Sequence, residues 1–535
     1  MFQQLLTPVA DNLFASFLVA SIPIAVVLVL LGVVRRPAWQ ASLAGLVTAL
    51  IVAVAVWKFP VGLALDSIAA GATFALWPVM WIVFNGLVLY NIAVASGRFD
   101  AFRDWVVDNI PNDRRVVLIV IGFCFGCLLE GVAGFGTPVA ITSALLIMLG
   151  FPAIEALTFT LIFNTAPVAF GALGAPVTTL GAVTGLSDVV LGQMIGRQLP
   201  FLAMLLPFYV MAIYGGRKSL AALWPVLLVA GGSFALTQFV VSNYISYSLT
   251  DVLSSLVSLA ITLAFLKVWK PLHDPAYAIA AHPTEIRRGA AIPAWQGWVP
   301  WIVIAGTVII WTVLKVNLIG EQKIAWPGLD KAVFITLYGK PYAAVWTFQP
   351  LATGTAILVA GLITAAIVGV GVKGYLHALA TTWRQIRIAI LTVALIVGLA
   401  YLMNYSGMTY TLGKAVSSVG PLFPILSAFL GWVAVFLSGS DTSGNALFGN
   451  LQVAAARQLN FDPVLFAATN SSGGVMGKMI SPQNIATGVS TTELRGREGE
   501  IMARTFKHSI ILTLLLGLLV MAQQHLFPGI IPHPH

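Results

Sequence analysis

Charge is what this sequence has least of. Only 9% of its 535 residues are Asp, Glu, Lys or Arg, while 59% are hydrophobic; soluble domains carry about 25% charged residues. That shortage excludes an ordinary soluble domain. Cysteine is scarcer still, at two, Cys124 and Cys127. One Cys-x-x-Cys pair without a second pair or a His partner makes no zinc site, and inside an apolar run it reads as two small residues packing between helices. A His-Glu-x-x-His pair, an Asp-rich metal motif and a convincing Ser and His dyad are also missing, which argues against a membrane-embedded enzyme. No metal and no cofactor are expected. The net charge of +9 is scattered over short loops beside apolar spans, with no basic, aromatic-interleaved segment, so no nucleic-acid partner is expected. Lys and Arg are absent from residues 1–12, so the apolar run at 12–33 reads as a retained span and not as a cleavable signal.

What is there is a series of long apolar runs, and the sequence is expected to fold as an all-α polytopic membrane protein. Spans fall near 12–33, 39–57 and 76–97, with Arg35, Arg36, Arg98, Arg103, Arg114 and Arg115 in the loops between and after them. The positive-inside tendency places those loops in the cytoplasm and the N-terminus outside. Residues 116–129 and 137–150 are apolar pieces of about fourteen residues, covering about 21 Å each, too short for a core of about 30 Å. They read as a re-entrant hairpin, followed by a broken helix at 153–180 and a span at 199–214. Spans near 220–241 and 250–268 lead to a polar cytoplasmic connector at 270–296. The second half repeats the series: spans at 298–316 and 350–370 around an external loop at 317–349, an interfacial stretch at 371–387, a span at 388–403, a hairpin at 421–457, a broken helix at 463–488 and a last span at 506–525 with the C-terminus outside.

Loop charge thus predicts two inverted repeats, residues 1–218 and 298–535, joined by a linker helix pair and connector at 219–297. The total is about twelve full spans plus two hairpins. Faint self-similarity at one constant offset agrees: Phe163-Asn164-Thr165 against Thr469-Asn470-Ser471, Gly171 against Gly477, and Pro176 against Pro482.

Four polar, glycine-rich interruptions mark the candidate site. Glu130 to Pro138 and Ser438 to Asn445 form the hairpin tips; Asn164 to Pro167 and Asn470 to Gly474 form the helix breaks. Unpaired backbone at membrane depth is tolerable only in protein or around a water-filled cavity, where a transporter holds a polar substrate. Glu130 and Asp441 are ionisable groups at membrane depth and therefore candidates for proton coupling; the alternative is a structural hydrogen bond capping a half-helix. Gly134, Gly136, Thr137, Asn164, Thr165, Ser440, Thr442, Ser443, Asn445, Asn470, Ser471 and Ser472 offer small polar contacts or helix N-termini suited to a carboxylate, or else ordinary hydrogen bonds between helices. Lys478 and Gln483 lie just beyond the second break, where Lys478 can pair a substrate carboxylate or snorkel to the surface.

The motifs Leu129-Glu-Gly-Val-Ala-Gly-Phe-Gly-Thr-Pro138, Phe163-Asn-Thr-Ala-Pro-Val-Ala-Phe-Gly-Ala-Leu-Gly-Ala-Pro176, Ser438-Gly-Ser-Asp-Thr-Ser-Gly-Asn-Ala-Leu-Phe-Gly-Asn450 and Asn470-Ser-Ser-Gly-Gly-Val-Met-Gly-Lys-Met-Ile-Ser-Pro-Gln483 resemble the bacterial L-lactate permease family over nearly the whole chain. The resemblance implies no enzyme but proton-coupled symport of L-lactate, D-lactate, glycolate and similar 2-hydroxy monocarboxylates across the inner membrane. That family looks related to an ion-transporter superfamily with Ser-Asn-Thr motifs at its hairpins, which implies elevator-like movement. Phe163 and Thr469 stand where Ser would, which puts sodium coupling in doubt. A sodium-coupled carboxylate transporter and a channel are the remaining alternatives. The expected partners are the carboxylate, the proton and membrane lipid.

Overall fold

The computed structural model describes residues 1–34, 36–132, 134, 137–271, 274–279, 292–490, 492, 494 and 497–533. Most of them are helical. By length and composition, nine helices among the described residues can cross a membrane, or ten when the bent pair Ala153–Phe163 and Val168–Thr184 counts as one span. The outermost show why: Leu13–Gly32 is apolar all round and exposes Phe14, Leu18, Ile22 and Val29, as a lipid-facing helix does. Arg114–Val132 lies at the other extreme, enclosed by protein over all but its first residue. The chain is a multi-pass integral membrane protein. The expected dozen crossings are not reached on length alone, because Val299–Val313 and Thr353–Ile367 have only 15 residues each.

Several boundaries differ from the sequence reading for identifiable reasons. The third span begins at Val61 and continues to Ala95 through a kink, where Trp77 is extended and Pro78 denies a backbone donor. The stretch 371–387 is not a separate interfacial segment. It is the first half of one 35-residue helix, Val372–Ser406, about 52 Å long at 1.5 Å per residue, because no proline interrupts it. The loop at 317–349 contributes small sheets to an otherwise helical fold. Gln322–Ala325 pairs antiparallel with Val345–Phe348, and Phe2–Gln3 pairs parallel with Val333–Ile335, which also meets Lys340–Pro341. That parallel pairing ties the N-terminal residues to this loop on one face of the molecule.

Both halves contain a helix pair followed by a divided helix. In the first, Arg114–Val132 and Thr137–Met148 precede Ala153–Phe163 and Gly171–Thr184. In the second, Phe423–Ser438 and Asp441–Gln458 precede Pro463–Lys478 and Pro482–Ser490. The second break is a correction to the sequence reading: Asn470 to Gly474 lie inside a continuous helix, and the chain turns only at 479–481. The glycines there serve packing. A β-carbon on Gly473 would stand 2.2 Å from the Ala428 carbonyl oxygen, one on Gly477 2.2 Å from that of Trp432, and one on Gly431 2.0 Å from that of Asn470. Small residues let the two backbones touch, the usual basis of helix association in membranes.

Candidate functional site

In the first half, Asn164 ends the helix Ala153–Phe163, and Pro167 lies three residues on, where it can supply no backbone donor. The chain then turns through Ala172, Leu173 and Gly174, all in left-handed backbone. This turn wraps Glu130, which is 2% exposed near the end of Arg114–Val132. Asn164 Nδ2 donates to Glu130 Oε2 at 3.0 Å. Gly171 leaves the room that the carboxylate occupies: a β-carbon there would stand 3.0 Å from Oε1. Lys478, from the far half of the sequence, donates through Nζ to the same Oε1 at 2.6 Å. The two side chains are 6% and 3% exposed, so this ion pair is buried and closes the two halves together.

In the second half, the turn at Gly439 starts a new helix. Ser440 caps it by accepting from the Ser443 backbone N–H at 3.3 Å. Asp441 follows in the first turn. Its Oδ2 accepts from Ser471 Oγ at 2.5 Å and from Asn445 Nδ2 at 3.3 Å. The carboxylate rests against Gly474, where a β-carbon would meet Oδ1 at 2.4 Å, and Oδ1 has no hydrogen-bond partner among the described residues. Asn445 Nδ2 also donates to the Pro176 carbonyl at 3.2 Å, a second bond between the halves.

Both tips, the chain just past the first break and the residues around the turn at 479–481 meet at one small cavity of about 40 Å³. Glu130 and Gly134 come from the first tip, and Gly171 and Pro176 from the helix that follows the first break. Ser440, Asp441 and Thr442 come from the second tip, and Lys478, Gln483 and Asn484 from around that turn. Such a volume holds one to a few waters. Later turns of the same helices, at Thr178 and at Asn450 and Arg457, line a larger cavity of about 750 Å³ roofed by Tyr338, Tyr342 and the small strands. Its walls include Tyr401, Tyr405 and Tyr410.

The remaining candidates surround this centre without lining it. Asn470 donates to Asn445 Oδ1 at 2.9 Å and accepts from Gln452 at 2.7 Å. Ser472 donates to Gln198 Oε1 at 2.7 Å. Thr165 bonds its own helix, at the Ile162 carbonyl, 2.7 Å away. These groups and Ser443 brace the helices that carry Glu130, Asp441 and Lys478. Gly136 and the Thr137 side chain lie outside the described residues. Sequence reasoning missed Gln198, whose amide reaches Thr469 at 2.9 Å and whose oxygen holds Ser472; nothing in its neighbourhood marks it. It also missed Asp251, fully buried in the span Tyr247–Val268, although a carboxylate in an apolar span is a signal in itself. Among the described residues no group of His, Cys, Asp and Glu could hold a metal ion.

Comparison with known proteins extends this picture. The chain is 42% identical to the glycolate permease GlcA of Escherichia coli (strain K12) over 96% of its own length and 97% of that protein's. It is 40% identical to the L-lactate permease of Bacillus subtilis (strain 168), over 99% of both, and 39% identical to the L-lactate permease of Escherichia coli (strain K12), over 98% of both. Among solved structures, MtrF of Neisseria gonorrhoeae, described with a class of antimetabolite efflux pumps, shares 12% identity at a TM-score of 0.50. The match covers 93% of this chain and 97% of that one, a likeness of fold alone. The L-lactate permease family profile matches residues 16–527. With whole-length relatives at this identity and a family match over nearly all its residues, the chain belongs to the L-lactate permease family.

Proposed function

We propose that this protein is a secondary active transporter that carries L-lactate, and related 2-hydroxy monocarboxylates such as D-lactate and glycolate, together with protons. Relatives named for L-lactate and glycolate support the substrate class. The observation that carries the mechanism is the buried Glu130 to Lys478 ion pair, 2.6 Å long, on the wall of the cavity that the two tips share. A buried cation needs a partner, because an unpaired charge there is costly. An incoming carboxylate therefore takes Lys478 from Glu130, and Glu130 in turn takes up a proton to remain in place uncharged. One anion and one proton thus bind as a unit. Asp441, held by Ser471 and Asn445, and Asn164, which donates to Glu130, orient the hydroxyl and the carboxylate.

The large tyrosine-lined cavity serves as the access vestibule. It lies beside the sheets that include the N-terminal strand, which the proposal places outside with both termini. The recurring order of helix pair and divided helix fits two inverted repeats, 1–218 and 298–535, with re-entrant hairpins that move as an elevator-like unit against the linker and the long helices. Uptake of lactate into proteoliposomes under an imposed pH gradient tests the coupling. Accumulation that follows the proton gradient without sodium is expected; accumulation that ignores pH and requires sodium would overturn it. The sodium reading has one observation in its favour, the Oδ1 of Asp441, which has no hydrogen-bond partner among the described residues on a carboxylate that also accepts from Ser471, and the same experiment decides it.

A further inference from the structure

A third carboxylate stands behind the ion pair. Asp251 begins the helix Thr250–Val268 and is 1% exposed. Neither of its oxygens has a hydrogen-bond partner among the described residues. Its side chain packs on Gly131, the residue after Glu130: a β-carbon on Gly131 would stand 2.8 Å from Asp251 Cβ and 3.2 Å from the Val252 nitrogen. Only glycine allows this approach, so the fold brings the Asp251 helix onto the turn that carries Glu130. Glu130, on the turn next to Gly131, and Lys478, bonded to it, are among the charged groups near Asp251, and Cys127 lies one turn before Glu130. Tyr247, one turn before Asp251, is engaged elsewhere, its hydroxyl donating to Asp188 Oδ2 at 2.7 Å. Lys478 is already bonded to Glu130.

An ionised carboxylate with no donor and no cation of its own is not sustainable in such a place; the group neutralises instead. We propose that Asp251 is held as the neutral acid and is the residue through which the coupled proton reaches Glu130. This rests on the proton-coupled reading above. No hydrogen bond joins Asp251 to Glu130, so the transfer runs through one water: when substrate takes Lys478, the O–H bond of Asp251 breaks, the water takes that proton and gives one of its own to Glu130, and Glu130 becomes the acid and Asp251 the anion. Asp251 then recovers a proton from water, and the net uptake is one proton per carboxylate. Without Asp251, a carrier already protonated on Glu130 still binds and exchanges substrate, because exchange needs no release of that proton, but the proton is not renewed at Glu130 during net flux.

The test uses purified full-length protein in proteoliposomes, as wild type and as Asp251→Asn, which has the shape of the neutral acid. For the variant we expect lactate counterflow close to wild type and pH-gradient-driven accumulation reduced to the gradient-free control. The infrared carbonyl band of a protonated carboxylic acid should be present in wild type at neutral pH and diminished in Asp251→Asn. Gradient-driven accumulation that survives in the variant overturns the proposal while leaving proton coupling intact. Loss of counterflow together with accumulation, in a monodisperse variant, assigns Asp251 a structural role and overturns it as well. A wild type that ignores the pH gradient removes the coupling reading itself, and this proposal with it. Should the variant fail to fold, the wild-type band decides: its absence overturns the proposal.

Discussion

The Glu130 to Lys478 pair offers the sharpest test, because its stability role and its binding role separate. Replace Lys478 by Met, Glu130 by Gln, and then both. At 2.6 Å, with side chains 6% and 3% exposed, the pair is too deep for solvent to screen. Removing one partner from a buried pair costs about 3–5 kcal/mol, because the other charge is stranded, whereas replacing both with neutral groups of similar volume is close to neutral. Equilibrium unfolding in mixed micelles should therefore show two strongly destabilised single variants and a double variant near wild type, a large non-additive coupling. Substrate binding should behave differently. A hydrogen bond to a charged group contributes about 1.5–3 kcal/mol, so both variants without Lys478 should bind lactate roughly 10–150-fold more weakly. A restored fold without restored binding is the signature. Single variants that each lose less than about 1 kcal/mol, as an exposed pair would, or a double variant whose cost is the sum of the singles, would refute the reasoning.

Other expectations follow from the same geometry. Gly431→Ala or Gly473→Ala should abolish monodisperse protein in size-exclusion chromatography, since each added carbon would stand within 2.2 Å of a backbone oxygen, whereas Gly232→Ala, with nothing within 4 Å, should be neutral or stabilising by up to about 1 kcal/mol. Gly171→Ala pushes on Glu130 Oε1 and should raise the KM for lactate with little change in protein yield. Ser471→Ala takes one of the two donors from Asp441 Oδ2; it should cost about 1–3 kcal/mol in stability and weaken lactate binding measured by calorimetry.

Much of this was legible in one dimension. Scarce charge, arginine-bearing loops and repeated apolar runs were enough to read a polytopic membrane protein, and most helix positions follow from hydropathy. The candidate residues were legible because a carboxylate or an amide in an apolar run is conspicuous. Asp251 was equally conspicuous and still escaped, since only its contact with Gly131 gives it a neighbour to act on. The glycines were misread for a related reason. A glycine that unwinds a helix and one that lets two helices touch look alike in sequence. Gly174 has positive φ, but Gly473 and Gly477 sit in regular helix against the carbonyls of Ala428 and Trp432.

The sequence by itself determined that the chain is a multi-pass membrane protein and which residues of its apolar segments are polar, because the cost of burying charge is met residue by residue. It could not determine pairing. That Lys478 reaches back 348 positions to Glu130, that Asn445 crosses to Pro176, and that the two distant tips close on one cavity are facts of three-dimensional packing. Helices are local structures, whereas an ion pair between the two halves exists only once those helices have been brought together.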